Sequence, residues 1–484
     1  MRRIMSNARG YCRVSAVWVC SLLALGGCAS HANTMRGVRE ALQNNDLDEA
    51  RARLADAGRG TDDLLFALED GLLLHYAGDP ELSNVRFEFA GPKIEDLYTR
   101  SISRSAFSLI TSDLVLRFEP RGVENLLVNY YQGLNYLRMW EPEEAWVEWR
   151  RLASKLQFSR DQGDALYLDP PFFNHMVGLG LEWDDPSNAY VSLRLAEARY
   201  LERGLDPPPD LIEDLIRLAT SLGFADHLDV YRNRYGNAAV WPTNRGRDLD
   251  GESGAGPWGE IVLLVEEGLV APIDELQIYL PITEQRSESL VEGGRNSQLN
   301  IAESLAREYA DGRYKGVKKS ESKRREIAYV LPMSFPIYGM GEPAFSRLVA
   351  FAETDTVAAR VALRISDLQQ MAFEDRLLGI YAKTIARALI KYFAAAKLEE
   401  KAEEEGGETA GDVVGILANI VNVATERADT RAWLGLPHRI WMTRLRVPPG
   451  DHDVQLLLDG HQVITLGPID VRPGERRLVN YRIF

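Results

Sequence analysis

Gly133-Leu-Asn-Tyr-Leu-Arg-Met-Trp140-Glu-Pro-Glu-Glu-Ala145-Trp-Val-Glu-Trp149-Arg-Arg-Leu152 decides how the first half of this chain folds. A small residue, Gly133, is followed twelve positions later by another, Ala145, then by the large apolar Trp149 and by Leu152. Glu141-Pro142 interrupts the pattern, so the stretch reads as two helices joined by a turn. The same spacing recurs in Ala50, Leu54, Ala57, in Ser83, Phe87, Ala90 (with Gly71 twelve residues before) and in Ala189, Leu193, Ala196. Asn44-Asn45-Asp46, Gly78-Asp79-Pro80 and Asp184-Asp185-Pro186 supply the turns before each of those second helices.

This pattern resembles the tetratricopeptide repeat. In that family small residues let two antiparallel helices approach, and the large residue wedges between neighbouring pairs. The first interval, Ala50 to Ser83, is 33 residues; the next two are 62 and 44, so insertions near 91–121 and 156–171 interrupt the array. Residues 210–235 read as a closing helix after the stop Pro207-Pro208-Pro209. The resemblance implies an N-terminal TPR-like α-solenoid over 35–245. Tyr130, Tyr131, Tyr136, Trp140, Trp146 and Trp149 crowd one repeat, as a groove for peptide or glycan or as repeat core. Trp149 is expected in the core by its place in the pattern, whereas Tyr131 and Trp140 are the candidates for exposure and partner binding.

At the N-terminus Leu25-Gly26-Gly27-Cys28 follows a basic start (Arg2, Arg3, Arg9, Arg13) and an apolar run over 14–25. That order is a secretory signal, and about 12 apolar residues fall short of the roughly 20 that span a bilayer. Leu25, Gly26, Gly27 and Cys28 resemble the lipobox of bacterial lipoproteins. The resemblance implies removal of residues 1–27, acylation of Cys28 with palmitate-type chains, and a lipidated tether over 28–34. Ala29-Ser30 follows the cysteine, with no Asp directly after it, which implies an outer-membrane, periplasm-facing address. The only other cysteines, Cys12 and Cys20, lie in the leader, so the mature chain has no thiol for a disulfide, a metal or catalysis. Loss of the leader takes the formal charge from −15 to −19, which gives no electrostatic footprint for nucleic acid. The acyl chains must then supply membrane attachment.

The second half reads differently. Residues 246–258 are rich in Gly, Asp and Ser and form a linker. Strands are expected at 259–272, 276–280, 326–330, 347–352 and 357–365, then a long amphipathic helix over 373–405. The apolar stretch 413–424 reads as a second helix packed on the first. Lys315, Lys318, Lys319, Lys323, Arg324 and Arg325 form a basic run in a polar segment, read as a solvated loop. The last fifty residues alternate as strands broken by Pro448-Pro449-Gly450, Asp459-Gly460 and Arg472-Pro473-Gly474, and look like a small β-sandwich over about 438–484. The expected class is α + β and multidomain: the helical repeat, then a mixed α/β region over 259–484 ending in that sandwich.

Gly259-Glu-Ile-Val-Leu-Leu-Val-Glu-Glu-Gly-Leu-Val-Ala-Pro272, Ala428-Asp-Thr-Arg-Ala-Trp-Leu-Gly-Leu-Pro437 and Arg444-Leu-Arg-Val-Pro-Pro-Gly450 resemble a family of bacterial outer-membrane lipoproteins. That family pairs an N-terminal tetratricopeptide-like region with such a C-terminal part, and the resemblance implies envelope work without naming an activity. Asp429 and Arg431 form its most unusual polar cluster: a ligand clamp, or an Asp-capped turn with Trp433 buried and Arg431 paired internally.

No catalytic motif stands out. The seven histidines never fall at metal spacing, and there is no nucleophile elbow or phosphate loop. No cofactor, metal or catalytic residue is expected. The expected function is a non-enzymatic interaction scaffold in cell-envelope assembly or maintenance, offering the concave face of its helical stack to an envelope protein. Two alternatives stand beside it: a periplasmic enzyme acting on glycan or peptide, and an accessory lipoprotein of secretion or polysaccharide export.

Overall fold

The computed structural model describes residues 31–58, 62–100, 118–120, 122–163, 165–236, 258–283, 327–339, 341, 343–352, 355–406 and 427–484. The leader, the lipobox with Cys28, the basic run, the 413–424 stretch and all of the linker but its last residue lie outside them. Ten helices come first: α1 (His31–Gln43), α2 (Leu47–Ala57), α3 (Asp63–Tyr76), α4 (Pro80–Arg100), α5 (Glu124–Arg138), α6 (Pro142–Gln162), α7 (Pro171–Leu181), α8 (Pro186–Glu202), α9 (Pro209–Ser221) and α10 (Ala225–Tyr235). Their starts follow the sequence. Asp46, Asp62 and Asp185 accept N–H bonds from the first turns of α2, α3 and α8, and Pro opens α6, α7, α8 and α9, where its missing N–H costs nothing. Each helix packs on the next.

The small residues of the pattern are where helices touch. A Cβ on Gly71 would lie 2.9 Å from the Phe87 ring, and one on Gly178 would lie 2.3 Å from Leu193. Trp149 fills a slot whose walls are two backbones, since a Cβ on Gly133 or Gly180 would sit 2.7 or 2.5 Å from the indole. The segment expected as one closing helix is two, α9 and α10, divided at Gly223, whose φ of +74° ends the first. Helices α4 and α6 run on to Arg100 and Gln162, into the segments expected as insertions.

The second half contains β1 (Gly259–Glu267), β2 (Ile273–Thr283), β3 (Ile327–Tyr338), β4 (Leu348–Ala352), β5 (Asp355–Ala358), β6 (Arg360–Arg364), α11 (Ile365–Gly406), β7 (Arg439–Val447), β8 (Gly450–Leu458), β9 (Gln462–Val471) and β10 (Arg476–Ile483). Two four-stranded sheets run β10-β1-β7-β6 and β5-β4-β8-β9, and β2-β3 is a separate hairpin against α11. Among the described residues no helix is long and apolar enough to cross a membrane.

The expected sandwich of the last fifty residues is therefore not self-contained. Strands β7 and β10 flank β1, antiparallel and parallel, while β8 pairs with β4, so strands from 259–267 and 348–364 complete both sheets. The reason is that ladder partners are distant in sequence and leave no periodic trace. Strand β1 is the axis of the region. Ile261, Leu263 and Val265 enter the core between the sheets; Val262 and Leu264, on the other face, join a core that runs without a break into α1–α10. Burial on both faces explains its unbroken apolar run.

One face of the helical stack is thus covered by the chain's own first sheet and by the 432–436 segment. Polar and charged side chains stitch that seam. Glu69 of α3 accepts the N–H groups of Leu434 and Gly435 at 2.7 and 3.0 Å. Asp214 of α9 meets Arg444 of β7 and Arg476 of β10. Glu266 of β1 accepts from Tyr76, Tyr131 and Asn480 at 2.5, 3.1 and 2.8 Å.

Candidate functional site

Tyr131 is fully buried, which corrects its expected exposure. It lies on the face of α5 turned toward the sheet, and its hydroxyl donates to the buried Glu266 carboxylate, which Tyr76 and Asn480 also satisfy. Tyr130 belongs to the same cluster. Burial raises the pKa of Glu266, with the Arg482 guanidinium opposing. The tyrosine hydroxyls stabilise it where water cannot.

Asp429 and Arg431 are likewise turned inward and not available as a clamp. Asp429 Oδ1 accepts from the backbone N–H and Nε of Arg431 at 3.1 and 2.9 Å, and the Arg431 guanidinium also lies 3.9 Å from Asp62, the α3 cap. Trp433 beside them is fully buried.

Trp140 is different. It is 54% exposed and has a φ of +63°. It stands just past α5, where Trp140 N–H bonds to Leu137 O and Glu141 N–H to Tyr136 O, the pair of bonds that closes a helix through one left-handed residue. The same pair closes α1, α3, α8 and α9, and the left-handed residue there is Asn45, Gly78, Gly204 and Gly223. Only α5 among these five uses a bulky side chain, at a cost of about 1–2 kcal/mol. The sequence carries a signal for this: the tryptophan falls where the related turns place Gly or Asn.

The side chain held in this way forms one wall of a cleft of about 480 Å³ between the α5–α6 turn, the end of α7 and strand β10. Trp146 and Trp183 line it too, and Trp183 is 68% exposed. Sequence reasoning missed Trp183 because it follows no repeat spacing. The guanidinium groups of Arg477 and Arg472 lie 4.0 and 5.1 Å from the Trp140 ring centroid. Arg138 donates to His75 O at 2.7 Å and to Asn480 Oδ1 at 3.1 Å, both neutral acceptors. The His75 ring lies 2.6 and 2.9 Å from the side-chain oxygens of Asn135 and Asn480. Burial and the neighbouring Arg138 push its pKa down to about 3, against the pull of those two oxygens. The single carboxylate lining the cleft, Glu475, accepts from Arg472 N–H at 2.8 Å.

A second groove of about 560 Å³ lies over α6, lined among others by Arg150, Arg151, Lys155 and Phe158. Burial pushes the Lys155 ammonium down to about 8, and it donates to Asn125 Oδ1 at 2.6 Å. None of the residues singled out by the sequence lines it. Among the described residues no group of three or more His, Cys, Asp or Glu is placed to hold a metal ion.

No protein-family model matches the chain, and no curated protein does. Among solved structures, the crystal structure of the apo form of RapI is similar with a TM-score of 0.32 and 11% identity, over 62% of this chain and 74% of that one. A likeness of that size bears on neither fold nor function.

Proposed function

We propose that this chain is a non-enzymatic interaction scaffold of the bacterial cell envelope that grips a partner in the tryptophan-lined cleft beside β10. Its helix pairs would form a TPR-like array, and Cys28 would carry the lipid that holds it to the outer membrane, facing the periplasm. The observation that carries the reading is Trp140. A bulky, half-exposed aromatic residue sits in left-handed backbone where the related helix ends use Gly or Asn, and such strain is retained where a side chain is needed in one place. Exposed tryptophans flanked by arginines are also the composition of binding hot spots. The two-carboxylate arrangement of a glycosidase finds no support in a cleft with one carboxylate, itself hydrogen-bonded.

The test is crosslinking in intact cells, followed by purification through a C-terminal tag and mass spectrometry. A reproducible envelope protein, lost in a Trp140→Ala, Trp183→Ala double variant, is the expected result; a secretion or export component would select that alternative. Recovery of the same proteins with wild type and variant would remove the cleft from the function. Cys28→Ser should abolish acylation, and a variant that remains lipidated and membrane-bound would refute the anchor.

A further inference from the structure

The cleft has a feature its side chains do not describe: one wall is the open edge of a sheet. Among the described residues β10 pairs on one side only, with β1. Glu260 N–H donates to Glu475 O, and Gly268 N–H to Ile483 O, both at 2.8 Å. In a parallel ladder the residues that bond a neighbour alternate along the strand, so the odd-numbered residues of β10 turn their backbone groups to β1. The even-numbered Arg476, Leu478 and Asn480 turn theirs outward. Arg138 donates to Asn480 O at 3.3 Å; the outward N–H and C=O of Leu478, which lines the cleft, have no partner among the described residues.

The other edges of the two four-stranded sheets are blunted: β6 is five residues long and pairs through a register shift. Strand β9 carries Pro468 and pairs through a register shift, and β5 is four residues long. Strand β10 is eight residues long, regular in its pairing and partly buried along its whole length. An exposed edge of this kind is a template for another strand.

The cations beside it identify the occupant's charge. Arg138 makes no ion pair among the described residues, and neither does Arg472. Among the described residues Arg477 has an ion pair with Glu475 alone, at 3.5 Å. This basic rim stands on a chain with a formal charge of −15.

We infer that the cleft takes an extended acidic peptide segment of a partner protein, added beside β10 as a fifth strand, with carboxylate side chains meeting Arg138 and Arg477 and with Trp183 covering alternate residues. This mode rests on the scaffold reading and specifies what that scaffold holds.

The experiment pans a phage-displayed random decapeptide library on the full chain. Enriched sequences are then synthesised and their affinities measured by fluorescence anisotropy. Acidic sequences should be enriched. Arg138→Gln should weaken the best peptide about tenfold at low ionic strength and less at high salt. Trp183→Ala, at an exposed position that the fold does not need, should weaken it at every ionic strength. N-methylation of alternate peptide residues should abolish binding in one register and spare it in the other, because only one set of N–H groups faces β10. Equal tolerance of both registers, or enrichment without acidic residues, would overturn the strand mode. So would binding of peptidoglycan fragments with no peptide enriched. If the cellular crosslink depends on Trp140 while no peptide binds, the scaffold survives and the strand mode falls; loss of both removes the scaffold as well.

Discussion

Replacing Asp214 by Asn removes one charge from the centre of an ion-pair network in which Asp214 itself is fully buried. Asp214, Glu182 and Glu260 face Arg217, Arg444 and Arg476, and Arg446 joins Glu260 to Glu213, so four carboxylates meet four guanidinium groups. Asp214 alone touches Arg217, Arg444 and Arg476 together, Arg217 and Arg476 at 2.9 Å each. Those contacts hold its carboxylate well below the usual range despite full burial. The asparagine keeps the shape and leaves one positive charge in excess at the seam between α9, β7 and β10. A unit charge pair at about 4 Å is worth about 4 kcal/mol at an effective dielectric of about 20. Breaking one side of a buried pair typically costs about 3–5 kcal/mol. The expected loss is therefore about 4 kcal/mol, read as a fall in the urea midpoint with an unchanged slope, followed by tryptophan fluorescence. Asp214→Leu combined with Arg444→Met should recover most of it, since an apolar pair of similar volume needs no compensating charge. A loss under about 1 kcal/mol for Asp214→Asn would mean that water reaches the carboxylate and that the seam is not held as described. Simple addition of the two single-variant losses would show that the residues do not act as a pair.

Three further outcomes follow from the same contacts. Trp140→Gly should be more stable than Trp140→Ala by about 1 kcal/mol in urea, reversing the usual order, because both lose the indole and only Gly is unstrained at a φ of +63°. Gly133→Ala should cost about 1–3 kcal/mol and shift the fluorescence of Trp149, which cannot retreat from one glycine without meeting the other. The pH profile has two limbs of opposite sign. Burial pushes the Asp210 carboxyl up, but Arg360 at 3.2 Å overrides it and brings it down to about 2 from 3.8, so its contribution of about 2 kcal/mol is full above pH 4 and lost as pH falls from 4 to 2. Burial pushes Glu69 up to about 8 against the two N–H donors; its contribution is full below pH 4.5 and lost as pH rises through 8, and Glu69→Gln should flatten that limb.

How far the chain could be read shows in particular residues. The Gly133, Ala145, Trp149 spacing places the α5–α6 contact, since helix contacts of this kind are set by residues close in sequence. The strand character of the last fifty residues was legible, and β7 spans Arg439–Val447 within them. What β7 pairs with was not, because β1 lies about 180 residues earlier and any apolar strand could have filled its place. Tyr131 and Trp140 looked alike as aromatic residues of one repeat. They separate because one side of α5 is covered by β1, which brings Glu266 to Tyr131, whereas the turn after α5 projects past the sheet.

The sequence alone determined the helix pairs and their turn residues, the long helix, and the strand character of the last fifty residues, and it alone is the ground on which a leader and a lipid on Cys28 are proposed. Each rests on local composition or on spacing within one helix or strand. The tertiary structure decided that one face of the helical stack is covered from within, that β1 is the shared axis of both halves, that Asp429 and Arg431 are spent on a turn, and that the open edge of β10 lies beside Trp140. All four depend on which distant segments meet, and that follows from burying the whole apolar surface at once.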